Sequence, residues 1–370
     1  MSRNTPHPAA GAGSGMGSWP LASRLPRPLP RPLLLAALAL GACSTGESGG
    51  GTPPEDGLST PAVAEAGLPP GYGPSDPLAP VGTQPYVVVL GVGQDGGFPQ
   101  AGTKESAPWE DRERRRLPVS LGIVDPVSGE RWMVEATPAF PEQLQALDRI
   151  APVEGIPGLS GIFLTHAHVG HYTGLIHLGR EVIGARGVPV YAMPRMEQFL
   201  RENGPWDQLV ALENIELRPM AAGLPTRLNE RIRVTPILVP HRDEYSETVG
   251  FRISGPERSV FFLPDIDKWE AWDALGTRIE DVIAGVDAAY LDATFFGDGE
   301  IPGRAMSEIP HPFVEESLAR FGPLPLSERQ KVRFIHLNRT NPVGWPGTPE
   351  WNRVVDTDMR IALRGERVGL

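Results

Sequence analysis

Apolar positions along the chain fall into short runs separated by glycine, proline and acidic turns. Residues 86–91 form the first, a β-branched stretch without alternating polar positions, which suits a strand buried on both faces. Similar runs predict strands over 119–124, 131–134, 161–164, 188–192, 232–239, 249–253, 259–263, 288–291 and 332–335. Residues 141–150 begin with proline and set Leu144, Leu147 and Ile150 at helical spacing. Further helices are expected over 175–183, 196–203, 269–275 and 279–283. Alternation of the two patterns predicts a layered α/β architecture. No internal repeat is visible in the sequence.

The strands share one habit: they end in a polar residue able to bind a metal. His166 and His168 follow 162–164, His241 follows 237–240, Asp265 follows 261–264, Asp292 follows 290–291, and His336 follows 334–335. Taken singly, each is compatible with a capped strand end or a satisfied core histidine. Together they are what a sheet edge needs to gather ligands from distant parts of the chain. Thr165-His166-Ala167-His168-Val169-Gly170-His171 is the densest stretch, with three imidazoles in six residues between a strand and a helix. Neutral imidazole suits zinc and iron. The glycine-rich segment 93–100 lacks the spacing of a nucleotide-phosphate loop. It is expected to form a tight turn that brings backbone close to a site.

The ordered set Thr165–His171, Pro240-His241, Pro264-Asp265 and Ile335-His336 resembles the metallo-β-lactamase superfamily over residues 85–345. Three stretches, Gln94–Gln100, Tyr290–Phe296 and Phe334–Pro342, resemble its pyrroloquinoline quinone (PQQ) biosynthesis protein B branch. The resemblance implies an αββα sandwich with a metal site along one sheet edge. It implies His166, His168 and His241 as ligands of a first metal, His171 and His336 as ligands of a second, and Asp265 bridging both. Asp267 stands close by as a competitor for that bridging role. Zinc is the expected metal, with iron or manganese as alternatives. Three imidazoles leave one tetrahedral position open for water, whose pKa falls to about 7. His311 resembles a proton-donating histidine of some phosphodiesterase members, against the plainer reading of a loop histidine between two prolines. Asp292 either orients a ligand histidine or ends its strand, and His177 is expected to pack or face solvent.

Two features depart from the pattern. Residues 101–104 lack the cysteines that the branch commonly places after its glycine-rich loop. Gly170 stands where the superfamily usually supplies an aspartate, so the second site is expected to be weaker, empty, or served by another carboxylate.

Composition changes the picture mainly at the N-terminus. Arg24, Arg27 and Arg31 precede the apolar run 33–40 and then Gly41-Ala42-Cys43. That run is far shorter than the roughly 20 residues a bilayer span requires. Residues 1–43 are therefore expected to be an export signal, with Met16 as an alternative start, and Leu40–Cys43 resembles a lipobox. The resemblance implies acylation at Cys43 and a lipid anchor at the cell envelope, facing the periplasm or the outer surface. Residues 44–84, rich in Gly, Pro, Ser and Thr, are expected to form a flexible tether. Residues 346–370 are expected to be a C-terminal extension. Cys43 is the single cysteine, so no internal disulfide is possible. A net charge of −11 argues against nucleic acid as a partner. A small-molecule substrate is expected. The leading expectation is a hydrolase acting on a phosphodiester, ester or lactam; the alternatives are an iron-dependent oxidase or hydroxylase and a non-catalytic binding lipoprotein.

Overall fold

The computed structural model describes residues 76–111 and 114–370. The expected export signal, Cys43 and the tether up to residue 75 lie outside the described residues. Among the described residues no helix is long and apolar enough to cross a membrane.

Fourteen strands among the described residues build two seven-stranded sheets. The first sheet contains β1 (Tyr86–Gly91), β2 (Ser120–Val124), β3 (Arg131–Val134), β4 (Gly161–Phe163), β5 (Val188–Ala192), β6 (Ile215–Pro219) and β14 (Arg367–Gly369), in the order β14-β1-β2-β3-β4-β5-β6. The second contains β7 (Thr226–Arg227), β8 (Arg233–Leu238), β9 (Val249–Ser254), β10 (Ser259–Leu263), β11 (Ala288–Asp292), β12 (Val332–Ile335) and β13 (Arg360–Ile361), in the reverse of that numbering. Each sheet has three antiparallel pairings followed by three parallel ones. The halves thus share a pairing pattern that their sequences do not display.

Side-chain alternation explains why the central strands carry apolar residues on both faces. Val87 and Val89 of β1 enter the core between the sheets, while Tyr86, Val88 and Leu90 pack into a second core on the other face. Val260 and Phe262 of β10 join the inter-sheet core, and Phe261 and Leu263 enter a third core with Trp269 and Trp272 of the helix Trp269–Ala274. Helix, sheet, sheet, helix is the resulting layering, the αββα sandwich expected from the sequence.

Several boundaries are corrected. Residues 76–84 belong to the folded unit, not the tether: buried Asp76 accepts from Arg333 Nη2 at 3.0 Å and Arg360 Nη1 at 2.6 Å. Residues 346–370 are no appendage, because β13 and β14 are edge strands of the two sheets and the helix Pro349–Val355 shares a core with β13. The helix expected at 175–183 is shorter, a turn at Val169–Tyr172 continuing as a 3₁₀ segment, Thr173–Leu178, that stops at Gly179.

Candidate metal centre

Parallel strands deliver their C-terminal ends to one edge. Glu135 follows β3, His166 and His168 follow β4, Asp265 follows β10, Asp292 ends β11, and His336 follows β12. His241 comes from the loop after β8. Glu135 and His336 both have left-handed backbone conformations, φ 73° and 65°. For residues with a Cβ such φ values cost energy and are held by their surroundings.

The outer partners of each ring decide which nitrogen points inward. His166 Nδ1 lies 2.9 Å from Thr165 Oγ1, whose hydroxyl donates to buried Glu135 Oε1 at 2.5 Å. His241 Nδ1 faces Asp267 Oδ1 at 3.1 Å, and His168 Nε2 faces Glu244 Oε2 at 3.3 Å. Nε2 of His166, Nδ1 of His168 and Nε2 of His241 are left for the first position. Ligand-type atoms of these three residues lie within 4.8 Å of one another. In the second position His171 Nδ1 faces Glu135 Oε1 at 3.4 Å, and His336 Nδ1 lies 2.9 Å from Thr294 Oγ1. Both residues therefore turn Nε2 inward.

Asp265 stands between the two groups. Its Oδ2 is 2.9 Å from His171 Nε2, 3.3 Å from His336 Nε2 and 3.7 Å from His166 Nε2, and its Oδ1 is 3.7 Å from His241 Nε2. Asp267 does not compete for that place, since it backs His241 instead.

Four of the converging atoms are buried without a hydrogen-bond partner among the described residues: His171 Nε2, His241 Nε2, Asp265 Oδ2 and His336 Nε2. Buried polar atoms are nearly always satisfied, so four orphans facing one space fit an ion that ligates them. The donor set, imidazole with carboxylate, is that of zinc or iron.

Electrostatics agree. Burial pushes the Asp265 carboxyl up, but His336 and His171 outweigh it and hold the group well below the usual carboxylate range. Burial drives His166 well below an ordinary histidine. His171 is the exception: burial pushes it down, yet Glu135, Asp265 and Asp95 together raise it well above the ordinary value.

His311 sits beside the two groups, its ring centroid 5.3 Å from that of His241 and 6.2 Å from that of His336. Its Nδ1 faces Asp292 Oδ2 at 2.7 Å. Burial lowers the imidazole, but Asp292, followed by Asp265 and Asp267, brings it up to about 9. The apolar residues Phe295, Met306, Ile309 and Phe313 form a small core that anchors the loop carrying it. Asp292 is an orienting residue and not a mere strand end: Oδ1 also accepts from Thr294 Oγ1 at 2.6 Å, and Thr294 holds His336.

A family model described as a Beta-lactamase superfamily domain matches residues 123–336. The chain belongs to this superfamily. Within it, coenzyme PQQ synthesis protein B of Xanthomonas oryzae pv. oryzae is 26% identical over 314 residues, covering 77% of this chain and 99% of that protein. The Pseudomonas fluorescens protein is 27% identical over 324 residues, covering 77% and 100%. Among solved structures, Zn(2+)-bound PqqB from Methylobacterium extorquens aligns with a TM-score of 0.64 at 23% identity, covering 77% of this chain and 100% of that one. A diphosphatase of the PhnP family aligns with a TM-score of 0.54 at 22% identity, covering 78% and 99%. The superfamily fold, and a likeness to PqqB in particular, are thereby established.

All six metal-binding candidates read from the sequence meet at this centre. His177 does not, and stacks on Phe140 with ring centroids 6.3 Å apart. Sequence reasoning missed Asp95, Glu135 and Thr165 as individual contributors. Asp95 comes from the glycine-rich loop, and its Oδ1 lies 3.2 Å from His171 Nε2. Asp95 stands four residues beyond the end of β1, farther from its strand than Asp265 or Asp292 from theirs, so the strand-end pattern did not mark it.

Proposed function

We propose that the protein is a metal-dependent hydrolase with zinc as its metal, acting on a small phosphodiester, ester or lactam. The observation that carries the reading is the set of orphaned buried donors around Asp265, joined to a proton donor at their side. When bound, divalent cations acidify water to hydroxide near neutral pH and polarise the bond to be cleaved. His166, His168 and His241 would hold one ion, and His171 and His336 the other, with Asp265 shared. Glu135, Asp267 and Thr294 fix the rings so that the inward nitrogens need not reorganise on binding. His311, with Nδ1 engaged by Asp292, keeps Nε2 for substrate and would give a proton to the departing group. Such a donor assists hydrolysis when the departing group is a poor one, such as an alkoxide.

A second reading is a part in PQQ synthesis with iron as the metal. It is supported by the match to curated PQQ synthesis proteins over nearly their whole length. Metal analysis of protein purified without added metal, followed by assays with chromogenic phosphodiesters, esters and lactams, separates the two. The hydrolase reading expects zinc, activity removed by chelator and restored by metal, and no oxygen uptake. Iron content with oxygen consumption and no hydrolysis would establish the second reading in its place.

We also place the protein at the cell envelope, on the strength of residues 24–43. Cys43→Ala should release it from the membrane fraction, and unchanged fractionation would refute anchoring at that residue.

A further inference from the structure

The centre contains a carboxylate that the expected ligand set lacks. Asp95 Oδ1 lies 3.2 Å from His171 Nε2 and 3.9 Å from His336 Nε2, while Asp265 Oδ2 lies 2.9 and 3.3 Å from the same two atoms. Ligand atoms about 2.0–2.1 Å from a tetrahedral zinc are separated by roughly 3.3 Å, the tetrahedral edge. The four separations scatter around that length. Three of the atoms, His171 Nε2, His336 Nε2 and Asp265 Oδ2, are buried with no hydrogen-bond partner among the described residues.

Asp95 is also held in place from both sides. Gln94 N donates to Leu337 O at 2.9 Å and Leu337 N to Val92 O at 2.8 Å, so the loop is tied to the residue after His336. Gly93 N donates to Leu117 O at 2.9 Å, and Val119 N to Gly93 O at 2.8 Å, which ties the loop to the segment leading into β2. A loop fixed between the two sheets delivers its side chain with little freedom, as a ligand requires.

The space Asp95 occupies exists because residue 170 is glycine. A Cβ at Gly170 would stand 2.3 Å from Asp95 Oδ1 and 2.5 Å from Asp95 Cα. The second contact is with backbone, so rotating the aspartate could not relieve it.

We propose that Asp95 is a ligand of a complete second metal position, formed with His171, His336 and the shared Asp265, and that Gly170 is the clearance that admits it. The carboxylate absent from the histidine cluster is supplied instead by the loop after β1. Of the outcomes the sequence left open for this position, it is the one served by another carboxylate. The inference rests on the metal-binding part of the proposed function and not on hydrolysis.

The test is metal stoichiometry in the full chain, by elemental analysis after exhaustive dialysis and by the visible spectrum during cobalt(II) titration of stripped protein. Wild type should hold two equivalents. Asp95→Asn keeps the shape and removes the charge, and should hold one equivalent firmly. Its second should weaken by more than the roughly 10–100-fold that loss of an outer partner costs. Gly170→Ala should do the same through its Cβ, with Asp95 intact. A wild type holding one equivalent would overturn the proposal, as would an Asp95→Asn protein binding two with affinities within about threefold of wild type. Because the readout is metal count, a protein that binds two equivalents and hydrolyses nothing would uphold this inference while removing the proposed function.

Discussion

The Asp267 carboxylate lies 3.1 Å from Nδ1 of His241, on the ring edge opposite the Nε2 that faces Asp265. Two aspartates two residues apart therefore have different tasks. Asp265 reaches into the metal centre, and Asp267 fixes which nitrogen of His241 reaches in with it. Asp267→Ala should weaken the first metal by about 10–100-fold with little change in melting temperature of the metal-free protein. Competition titration against a chelator measures this, and an unchanged affinity would show that His241 orients itself.

His311 is expected to act on the leaving group alone. His311→Asn should leave both metals bound and lower kcat by about 10²–10⁴-fold for substrates with alkoxide leaving groups. With p-nitrophenolate, which departs without a proton, the loss should be far smaller. Equal losses for both substrate types would place His311 in binding and not in proton transfer.

Acid stability should report on the ion pair between Arg320 and Glu280. Arg320 Nε and Nη2 donate to the two oxygens of Glu280 at 2.8 and 2.9 Å. Burial pushes this carboxyl up, but the guanidinium outweighs it and takes the group from 4.5 down to about 2. A carboxyl depressed in the folded state adds stability above its unfolded pKa, and that stability is lost as pH falls through the folded value. Glu280→Gln should thus be destabilised by about 1 kcal/mol at pH 7. In urea titrations of metal-free protein, the difference from wild type should shrink between pH 4.5 and about 2. A difference that does not change across that range would contradict the assignment.

Asp76 tests where the folded unit starts along the chain. It joins Arg333 and Arg360 while lying 4% exposed, so Asp76→Ala removes one member of a buried charge network. The expected cost is about 3 kcal/mol, read by chemical denaturation. A neutral result would return residues 76–84 to the tether.

Much of the candidate centre was legible because most of its His and Asp side chains come from just beyond strand ends, where apolar runs stop abruptly. The sandwich itself was legible through the family motifs and the unbroken apolar runs within strands 86–91 and 259–263. Periodicity could not reveal β13, because Arg360–Ile361 is two residues long and forms only by pairing with β12. It could not assign Asp95 either. The loop's glycines describe backbone freedom, and only the fold brings position 95 against position 170. The same limit applies to Glu135, whose role depends on β3 lying beside β4 in parallel register. The shared pairing pattern of the sheets is likewise carried by hydrogen-bond geometry, to which many side-chain sequences are equivalent.

The most direct test of the account is hydrolysis of a chromogenic phosphodiester, ester and lactam panel by chelator-stripped protein during stepwise return of zinc. No turnover is expected without metal and, for at least one substrate class, the rate should climb until two equivalents are bound and then level off. Full activity in the stripped protein, or none on any substrate at two bound equivalents, would contradict it.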